Sequence, residues 1–182
     1  VCRYGELPGI TQPSLADNHV VGLPMAPART AALIDQLLAV LEVVHERGIV
    51  HRDLKPENVM LVPDPHMPHG ERTKLLDFGI AKLLDAGHAD QAARSNTMTG
   101  MFMGTPAYLS PERISGGPTD VRSDVYSIGV MLYEMLSGER PITGQSHGEI
   151  IANHLVIEPM PLVSKMPQLP SAVTDLVASM LC

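Results

Sequence analysis

The sequence predicts a mainly α fold of the α+β class, in which a bundle of helices carries one short β-hairpin. Apolar residues recur at helical spacing between residues 33 and 44, and residues 125–136 are almost continuously apolar. Two short apolar runs, at 59–62 and 74–76, flank a loop that contains Pro and His. With 182 residues, the chain is long enough to form one domain with a substantial core.

The composition narrows the classes of function. The chain is 45% hydrophobic and 18% charged, as in soluble globular proteins, and its net charge of -7 argues against a nucleic-acid partner. The two cysteines, Cys2 and Cys182, predict neither a disulfide framework nor a zinc site, which favours a reducing cytoplasm. Solvated or capping roles are expected for four histidines that lack metal-ligand spacing, His45, His66, His69 and His88. Because no apolar run reaches about 20 residues, we expect no membrane contact within this segment, although a parent protein could be anchored elsewhere.

A loop and then a long helix are expected first. Residues 1–27 are rich in Pro and Gly and read mostly as loop. A long amphipathic helix is predicted from Pro27, which suits a first turn, to Gly48, which suits a stop. Its apolar face is formed by Leu33, Ile34, Leu37, Leu38, Leu41 and Val44.

The two apolar runs are predicted to pair as a hairpin. Val59 to Val62 reads as one strand and Lys74 to Leu76 as the other. Residues 80–103 follow without periodicity, which predicts a long loop of the functional kind.

Three helices are predicted in the last third. Ser123 and Asp124 can cap a helix from Val125 to Leu136, whose apolar residues nearly all round predict burial, and Gly138 can end it. Ser146 with Glu149 forms a capping-box pattern for a helix through about Leu155. Ser171 can cap a last helix, which bears Val173, Leu176, Val177 and Met180.

Three motifs carry the chemistry. They are His-Arg-Asp-Leu-Lys-Pro-Glu-Asn at 51–58, Lys-Leu-Leu-Asp-Phe-Gly at 74–79 and Gly-Thr-Pro-Ala-Tyr-Leu-Ser-Pro-Glu at 104–112. In this order they resemble the catalytic half of a protein serine/threonine kinase of the bacterial sensor-kinase type. The resemblance implies a protein-kinase-like C-terminal lobe over 28–182, truncated at its C-terminal end, with the hairpin beside the active site. Residues 1–27 would be a divergent hinge-proximal segment.

The resemblance assigns catalytic and cofactor roles. Phosphoryl transfer needs a carboxylate facing the attacking hydroxyl and hard oxygen ligands for the metal. Asp53 would be the base, Lys55 would contact the transferring phosphate, and Thr105 would bond to both. Asn58 and Asp77 would bind Mg2+ and thereby hold ATP.

Further residues would support this site. Met131 and Met135 have the spacing of core residues in a helix and would be packing residues, and Met60 would join them beneath the adenine ring of ATP. His51 and Phe78 would stack as packing residues, and buried Asp124 would accept hydrogen bonds from the catalytic-loop backbone rather than simply cap a helix. Glu112 would be structural, although its usual Arg partner is not in this sequence.

A regulatory switch is also implied. A guanidinium can bind a phosphate bidentately and order the segment that carries it. Arg52 beside the base would bind a phosphorylated residue of the 80–103 loop, with Thr97 and Thr99 as the best candidates.

The activity expected is ATP-dependent phosphorylation of Ser or Thr hydroxyls in protein substrates. A glycine-rich phosphate loop and the strand Lys paired with a helix Glu are not in this sequence, so the chain alone is expected to be inactive or nearly so. Dimerisation would involve regions outside it. A pseudokinase or binding scaffold remains an alternative, which intact Asp53, Asn58 and Asp77 disfavour. A small-molecule phosphotransferase is a third, disfavoured by residues 104–112, which resemble a polypeptide-docking segment.

Overall fold

The computed structural model describes residues 13–18, 22–77 and 106–182. Helices predominate there and one two-stranded antiparallel sheet is present, which confirms the mainly α fold of the α+β class. The order is α1 Leu15–Asn18, α2 Pro27–His45, β1 Val59–Pro63, β2 Glu71–Leu75, α3 Pro111–Ile114, α4 Val121–Ser137, α5 His147–Val156, α6 Leu162–Lys165 and α7 Ser171–Met180. Short 3-10 turns span Pro56–Asn58, Pro68–Gly70 and Pro106–Tyr108.

Helix α2 begins at Pro27, as predicted, and ends at His45, shortly before Gly48. Its buried face packs into the core and consists of Thr30, Leu33, Ile34, Leu37 and Leu41. Leu38, which the spacing placed on the same face, is 43% exposed.

The predicted hairpin is present. Strands β1 and β2 pair antiparallel, with Val59 opposite Leu75 and Leu61 opposite Thr73. Val59 and Leu61 are buried, so this face of the hairpin packs on the core while the residues between them face the other way.

Helix α4 is the centre of the core, as its apolar sequence predicted. Every residue from Tyr126 to Leu136 is buried. The predicted start was wrong, because the helix begins at Val121 and its N-cap is Asp120, whose carboxylate accepts a hydrogen bond from Arg122 N. Ser123 and Asp124 lie inside the first turns and bond elsewhere. Neither α4 nor any other helix of the described segments is long and apolar enough to cross a membrane.

Two glycines of α4 have defined roles. Gly138 ends the helix in the left-handed conformation, with φ 80°, as the sequence predicted. Gly129 lies against α7, where a Cβ would come within 2.8 Å of the Met180 Cβ. The close packing of α4 and α7 therefore requires the absence of a side chain at residue 129.

The last helices follow the predictions except at two details. Ser146 caps α5 by accepting from Glu149 N, but the Glu149 carboxylate bonds to Gln145 N instead of completing the capping box at Ser146 N. Ser171 is the first residue of α7 rather than its cap, since Pro170 holds that position and makes no side-chain cap bond. Leu176, predicted on the apolar face, is 54% exposed.

Candidate active site

The loop that joins α2 to β1, residues 46–58, contains the predicted catalytic residues Asp53 and Lys55 and is here called the catalytic loop. One buried carboxylate, that of Asp124, holds it. Asp124 Oδ2 accepts a hydrogen bond from His51 N at 2.8 Å, and Asp124 Oδ1 accepts one from Arg52 N at 2.9 Å. Arg52 has φ 68°, a left-handed conformation that is uncommon outside glycine. Because Asp124 binds both successive amides, it holds the backbone in this conformation directly before Asp53.

His45 belongs to the same network. Its Nε2 lies 2.8 Å from Asp124 Oδ2, and only 18% of its side chain is exposed. The expectation of a solvated or capping role was therefore wrong. The sequence did not reveal the contact because its partner lies 79 positions away.

Asp53 contacts an ammonium and an amide. Lys55 Nζ lies 3.2 Å from Asp53 Oδ2, while Asn58 Nδ2 donates to Asp53 O at 2.7 Å and to Oδ2 at 3.2 Å. The 3-10 turn Pro56–Asn58, with Asn58 N bonded to Lys55 O, brings the amide back toward the carboxylate. With 33% of its side chain exposed, Asp53 is oriented and accessible from solvent.

The end of β2 lies beside this loop. Leu76 N donates to Asn58 O at 2.8 Å, and His51 Nε2 lies 2.9 Å from Leu76 O. Asp77 follows directly, exposed and with φ 51°. These bonds bring the two predicted metal ligands, Asn58 and Asp77, to neighbouring segments of backbone.

The donor chemistry of these two residues fits Mg2+. Asn58 and Asp77 offer an amide oxygen and a carboxylate, and Mg2+ is usually bound by one or two such groups together with water and phosphate oxygens. Among the residues described, no three His, Cys, Asp or Glu side chains cluster in a way that could hold a metal ion. An amide oxygen and a carboxylate fit a cation whose other ligands are water and phosphate oxygens.

Met60 lies away from the methionines of α4. It follows Val59 in β1 and is partly exposed on the opposite face of the hairpin, where it forms a bridge with Ser14. Met131 and Met135 are fully buried in the core. Their packing role is as predicted, and Met60 does not join them.

A second arginine, which the sequence did not single out, reaches the catalytic loop. The Arg113 guanidinium in α3 donates to the carbonyl oxygen of Arg52. Burial lowers the pKa of Arg113, and the nearby carboxylates of Asp53 and Asp124 oppose that shift. Arg113 therefore places a partly buried positive charge beside Asp53 and Asp124.

Glu112, the neighbour of Arg113, bonds within the described part of the chain. The Ser123 hydroxyl donates to Glu112 Oε1. Burial opposes ionisation of Glu112, but the hydrogen bond from Ser123 favours it, and the pKa lies below its usual value. This contact also explains why Ser123 does not cap α4.

The segment after residue 105 is held by another buried carboxylate. Tyr108 donates its phenol proton to Glu134 Oε2 at 2.6 Å, and Arg140 Nε lies 3.0 Å from Glu134 Oε1. The Arg140 guanidinium also lies over the Tyr108 ring, 5.3 Å from its centroid. Residues 106–108 are thereby fixed to α4.

Four predicted residues lie outside the described segments: Phe78, Thr97, Thr99 and Thr105. The structure brings together the other predicted residues of the catalytic loop, namely His51, Arg52, Asp53, Lys55 and Asn58, with Asp77 and Asp124 beside them.

The chain is similar to known proteins over most of its length. The family model for the protein kinase domain matches residues 10–182. The chain is 43% identical over 146 residues to serine/threonine-protein kinase pkn2 of Myxococcus xanthus, which covers 80% of this chain and 17% of that protein. Identity is 44% over 123 residues to PknL of Mycobacterium tuberculosis, covering 68% of this chain and 28% of the relative. Identity to PknB of the same species is 40% over 144 residues, which covers 79% of this chain and 21% of PknB. The chain thus spans a quarter or less of the length of most of these curated relatives.

Proposed function

This chain belongs to the protein kinase domain family, and we propose that the protein containing it transfers the γ-phosphoryl group of ATP to Ser or Thr hydroxyls of proteins. One observation carries the proposal. The accessible Asp53 carboxylate contacts both the Lys55 ammonium and the Asn58 amide, which is the grouping of base, cation and metal ligand that phosphoryl transfer requires.

Asp53 has the role of base in this proposal. Its carboxylate accepts the proton of the substrate hydroxyl as that oxygen forms a bond to the γ-phosphorus, and the bond to the bridging oxygen of ADP breaks. The hydrogen bond from Asn58 and the contact with Lys55 keep the carboxylate oriented. Asp124 acts indirectly, through the backbone of His51 and Arg52.

The remaining groups bind and neutralise phosphate charge. Lys55, close to Asp53, is placed to contact the transferring phosphate as a point charge. Asn58 and Asp77 would hold Mg2+, which when bound neutralises negative charge on the nucleotide phosphates. We further propose Met60 as a residue beneath the adenine, on the exposed face of the hairpin. Thr105, by family resemblance, would bond to Asp53 and Lys55.

The decisive experiment replaces the base in the protein that contains this chain. Asp53→Asn keeps the size of the side chain and removes its negative charge, so kcat should fall by about a hundredfold to ten-thousandfold. ATP-dependent incorporation of phosphate into Ser and Thr, measured with labelled nucleotide, gives the rate. Asp35→Asn, an exposed change on α2, is the matched control and should leave the rate unchanged. A variant at residue 53 with full activity would exclude Asp53 as the base.

The 182 residues alone are proposed to transfer phosphate poorly or not at all. The glycine-rich loop and the strand Lys that orient ATP in protein kinases are not in this sequence. The same assay on the isolated chain tests this proposal. Turnover that disappears in Asp53→Asn would contradict it.

Regulation by phosphate is proposed for Arg52. Its backbone is fixed by Asp124 and Arg113, so its position beside Asp53 is set by the fold. Phosphate on Thr97 or Thr99 would then bind a preplaced guanidinium. Mass spectrometry of the active protein should find phosphate between residues 92 and 103, and its absence would exclude the switch.

A further inference from the structure

Arg52 lies between two peptide groups that are bonded to two different helices. In the peptide group before it, Arg52 N donates to Asp124 Oδ1 of α4 at 2.9 Å. In the peptide group after it, Arg52 O accepts a hydrogen bond from the guanidinium of Arg113 in α3. Because the orientations of these two groups set φ and ψ of Arg52, both helices hold its left-handed conformation, in which φ is 68°.

The peptide group that joins Arg52 to Asp53 is bonded through both of its polar atoms. Its oxygen accepts from Arg113, and its N–H, which belongs to Asp53, donates to His51 Nδ1 at 3.3 Å. The C=O and N–H of a trans peptide point in opposite directions. A rotation of this group by half a turn would therefore exchange the positions of the donor and the acceptor.

Arg113 can bond to only one of these two orientations. A guanidinium has five N–H donors and no acceptor, whereas an imidazole nitrogen is a donor or an acceptor according to the tautomer. After half a turn the N–H of Asp53 would face the guanidinium, donor against donor, and the bond to Arg113 would be lost. Arg113 thus selects the observed orientation, which the contact with His51 alone does not.

The guanidinium is carried by an anchored segment of backbone. Glu112, which precedes Arg113, accepts a hydrogen bond from the Ser123 hydroxyl of α4. Ile114, which follows it, is buried, and Arg113 N donates to Ser110 O at 3.1 Å. Because both neighbours are held, the position of the Arg113 side chain is set from α3 and α4.

The orientation of this peptide group acts directly on the proposed base. Its nitrogen is bonded to the Cα of Asp53, so a rotation of the group changes φ of Asp53 and tilts the side chain. A general base must lie about 2.6 to 3.2 Å from the atom whose proton it takes. A displacement of about 1 Å can lower the rate about a hundredfold.

We propose that Arg113 is a positioning residue for phosphoryl transfer, which holds the peptide group between Arg52 and Asp53 and thereby the direction of the Asp53 carboxylate. The inference rests on the proposed function, in which Asp53 is the base. It gives α3 a part in orienting that base.

The test replaces Arg113 by Met, which keeps a long side chain and removes every donor, in the protein that contains this chain. We expect kcat to fall about tenfold to a hundredfold. The KM values for ATP and for the protein substrate should stay unchanged, because the base and not substrate binding is affected. Hydrogen exchange over residues 51–54 should become faster. Arg122→Met, the matched change at an exposed site of α4, should alter none of these measurements.

Two further variants sharpen the test. Arg113→Lys keeps the charge and N–H donors but not the planar group, so kcat should lie between those of the unaltered protein and Arg113→Met. It replaces the Met variant in every measurement if that variant does not fold. Asp53→Asn combined with Arg113→Met should be no slower than Asp53→Asn alone, because Arg113 acts through Asp53.

Unchanged kcat or unchanged exchange in the folded variant at residue 113 would overturn the proposal. So would a loss that falls on KM, that disappears when the rate is scaled to the folded fraction, or that persists in full on top of Asp53→Asn. Failure of the proposed function would show differently, as phosphate transfer that survives Asp53→Asn, and the exchange measurement does not depend on transfer.

Discussion

Helix α4 carries two buried carboxylates, Asp124 in its first turns and Glu134 near its end, and they hold neighbouring segments by different means. Asp124 accepts hydrogen bonds from the backbone N–H groups of His51 and Arg52. Those donors exist whatever side chains stand at the two positions. The catalytic loop is therefore attached to α4 through its backbone, and the Asp124 carboxylate is the acceptor of both bonds.

Glu134 is bonded by side chains. Tyr108 and Arg140 both contact it, and the two also contact each other. This attachment depends on three residue types and can be weakened one contact at a time. The comparison teaches that the attachment of the catalytic loop to α4 depends on one carboxylate, whereas the attachment of residues 106–108 is distributed over three side chains.

The largest effect is expected for Asp124→Ala. Two backbone N–H groups would lose their acceptor, at about 1 to 3 kcal/mol each for buried donors, so the free energy of unfolding should fall by roughly 2 to 6 kcal/mol. Urea denaturation followed by circular dichroism measures it. Asp124→Asn keeps one acceptor oxygen and should lose less. A loss below that of Glu134→Ala would reverse the comparison.

The second largest effect is expected for Glu134→Ala, which should lower the free energy of unfolding by about 2 to 3 kcal/mol. Removing one member of a fully buried ion pair costs about 3 to 5 kcal/mol, and Arg140 is only partly buried, which reduces the cost. Glu134→Gln, which retains an acceptor for Tyr108, is the matched variant. If the double change with Arg140→Met loses as much as the two single changes summed, the two residues are not coupled.

Tyr108→Phe should lose about 1.5 kcal/mol, the usual contribution of a hydrogen bond to a charged group. Only one of the contacts to Glu134 is removed, and the aromatic ring stays in place. The same denaturation measurement applies. A loss as large as that of Glu134→Ala would show that the attachment is not distributed.

The dependence of stability on alkaline pH tests the raised pKa values of two buried tyrosines, Tyr108 and Tyr126. Burial first, and then the charge of Glu134, raises the pKa of Tyr108; burial and then Glu112 raise that of Tyr126 to about 12. The folded state therefore holds these phenol protons more tightly than the unfolded state. Their stabilising contribution is full below pH 10.0, the ordinary pKa, and for Tyr126 it is lost between pH 10.0 and about 12. Tyr126→Phe should flatten the fall of unfolding free energy in that range, and an unchanged slope would contradict the raised pKa.

The smallest effect is expected for Asp120→Ala. It removes the N-cap bond to Arg122 N, which should cost about 1 kcal/mol. Arg122→Ala, which removes only an exposed ion pair, should cost close to nothing. Equal losses at Asp120 and Asp124 would mean that both act as simple caps.

The start of α4 shows what the sequence can and cannot predict. The apolar residues from Val125 to Leu136 predicted burial, because a helix apolar on all sides has no face for water. The prediction holds from Tyr126 onward, but Val125 is 37% exposed. Asp120, Ser123 and Asp124 are all good cap residues, and the choice depends on which of them finds a partner in the folded chain. Ser123 meets Glu112 and Asp124 meets the catalytic loop, so Asp120 caps the helix.

Within the candidate site, too, local contacts could be predicted from the sequence and long-range contacts could not. Asp53, Lys55 and Asn58 are close in sequence, and a single tight turn brings them together, so the motif and its resemblance to protein kinases were enough to predict the grouping. Gln36 accepts a hydrogen bond from Thr73 N, 37 positions away. Arg113 donates to Arg52 O, 61 positions away. Periodicity and motifs carry no information on such long-range partners, and neither residue type is unusual for its helix.

The glycine at residue 129 limits what substitution can do to this domain. A methyl group there would stand 2.8 Å from the Met180 Cβ, so even alanine would push α7 away from the helix at the centre of the core. Natural variation at this position should therefore be confined to glycine in any homologue that keeps the crossing. For protein engineering, Gly129→Ala would add one methyl group and displace α7, at a position far in sequence from the catalytic loop.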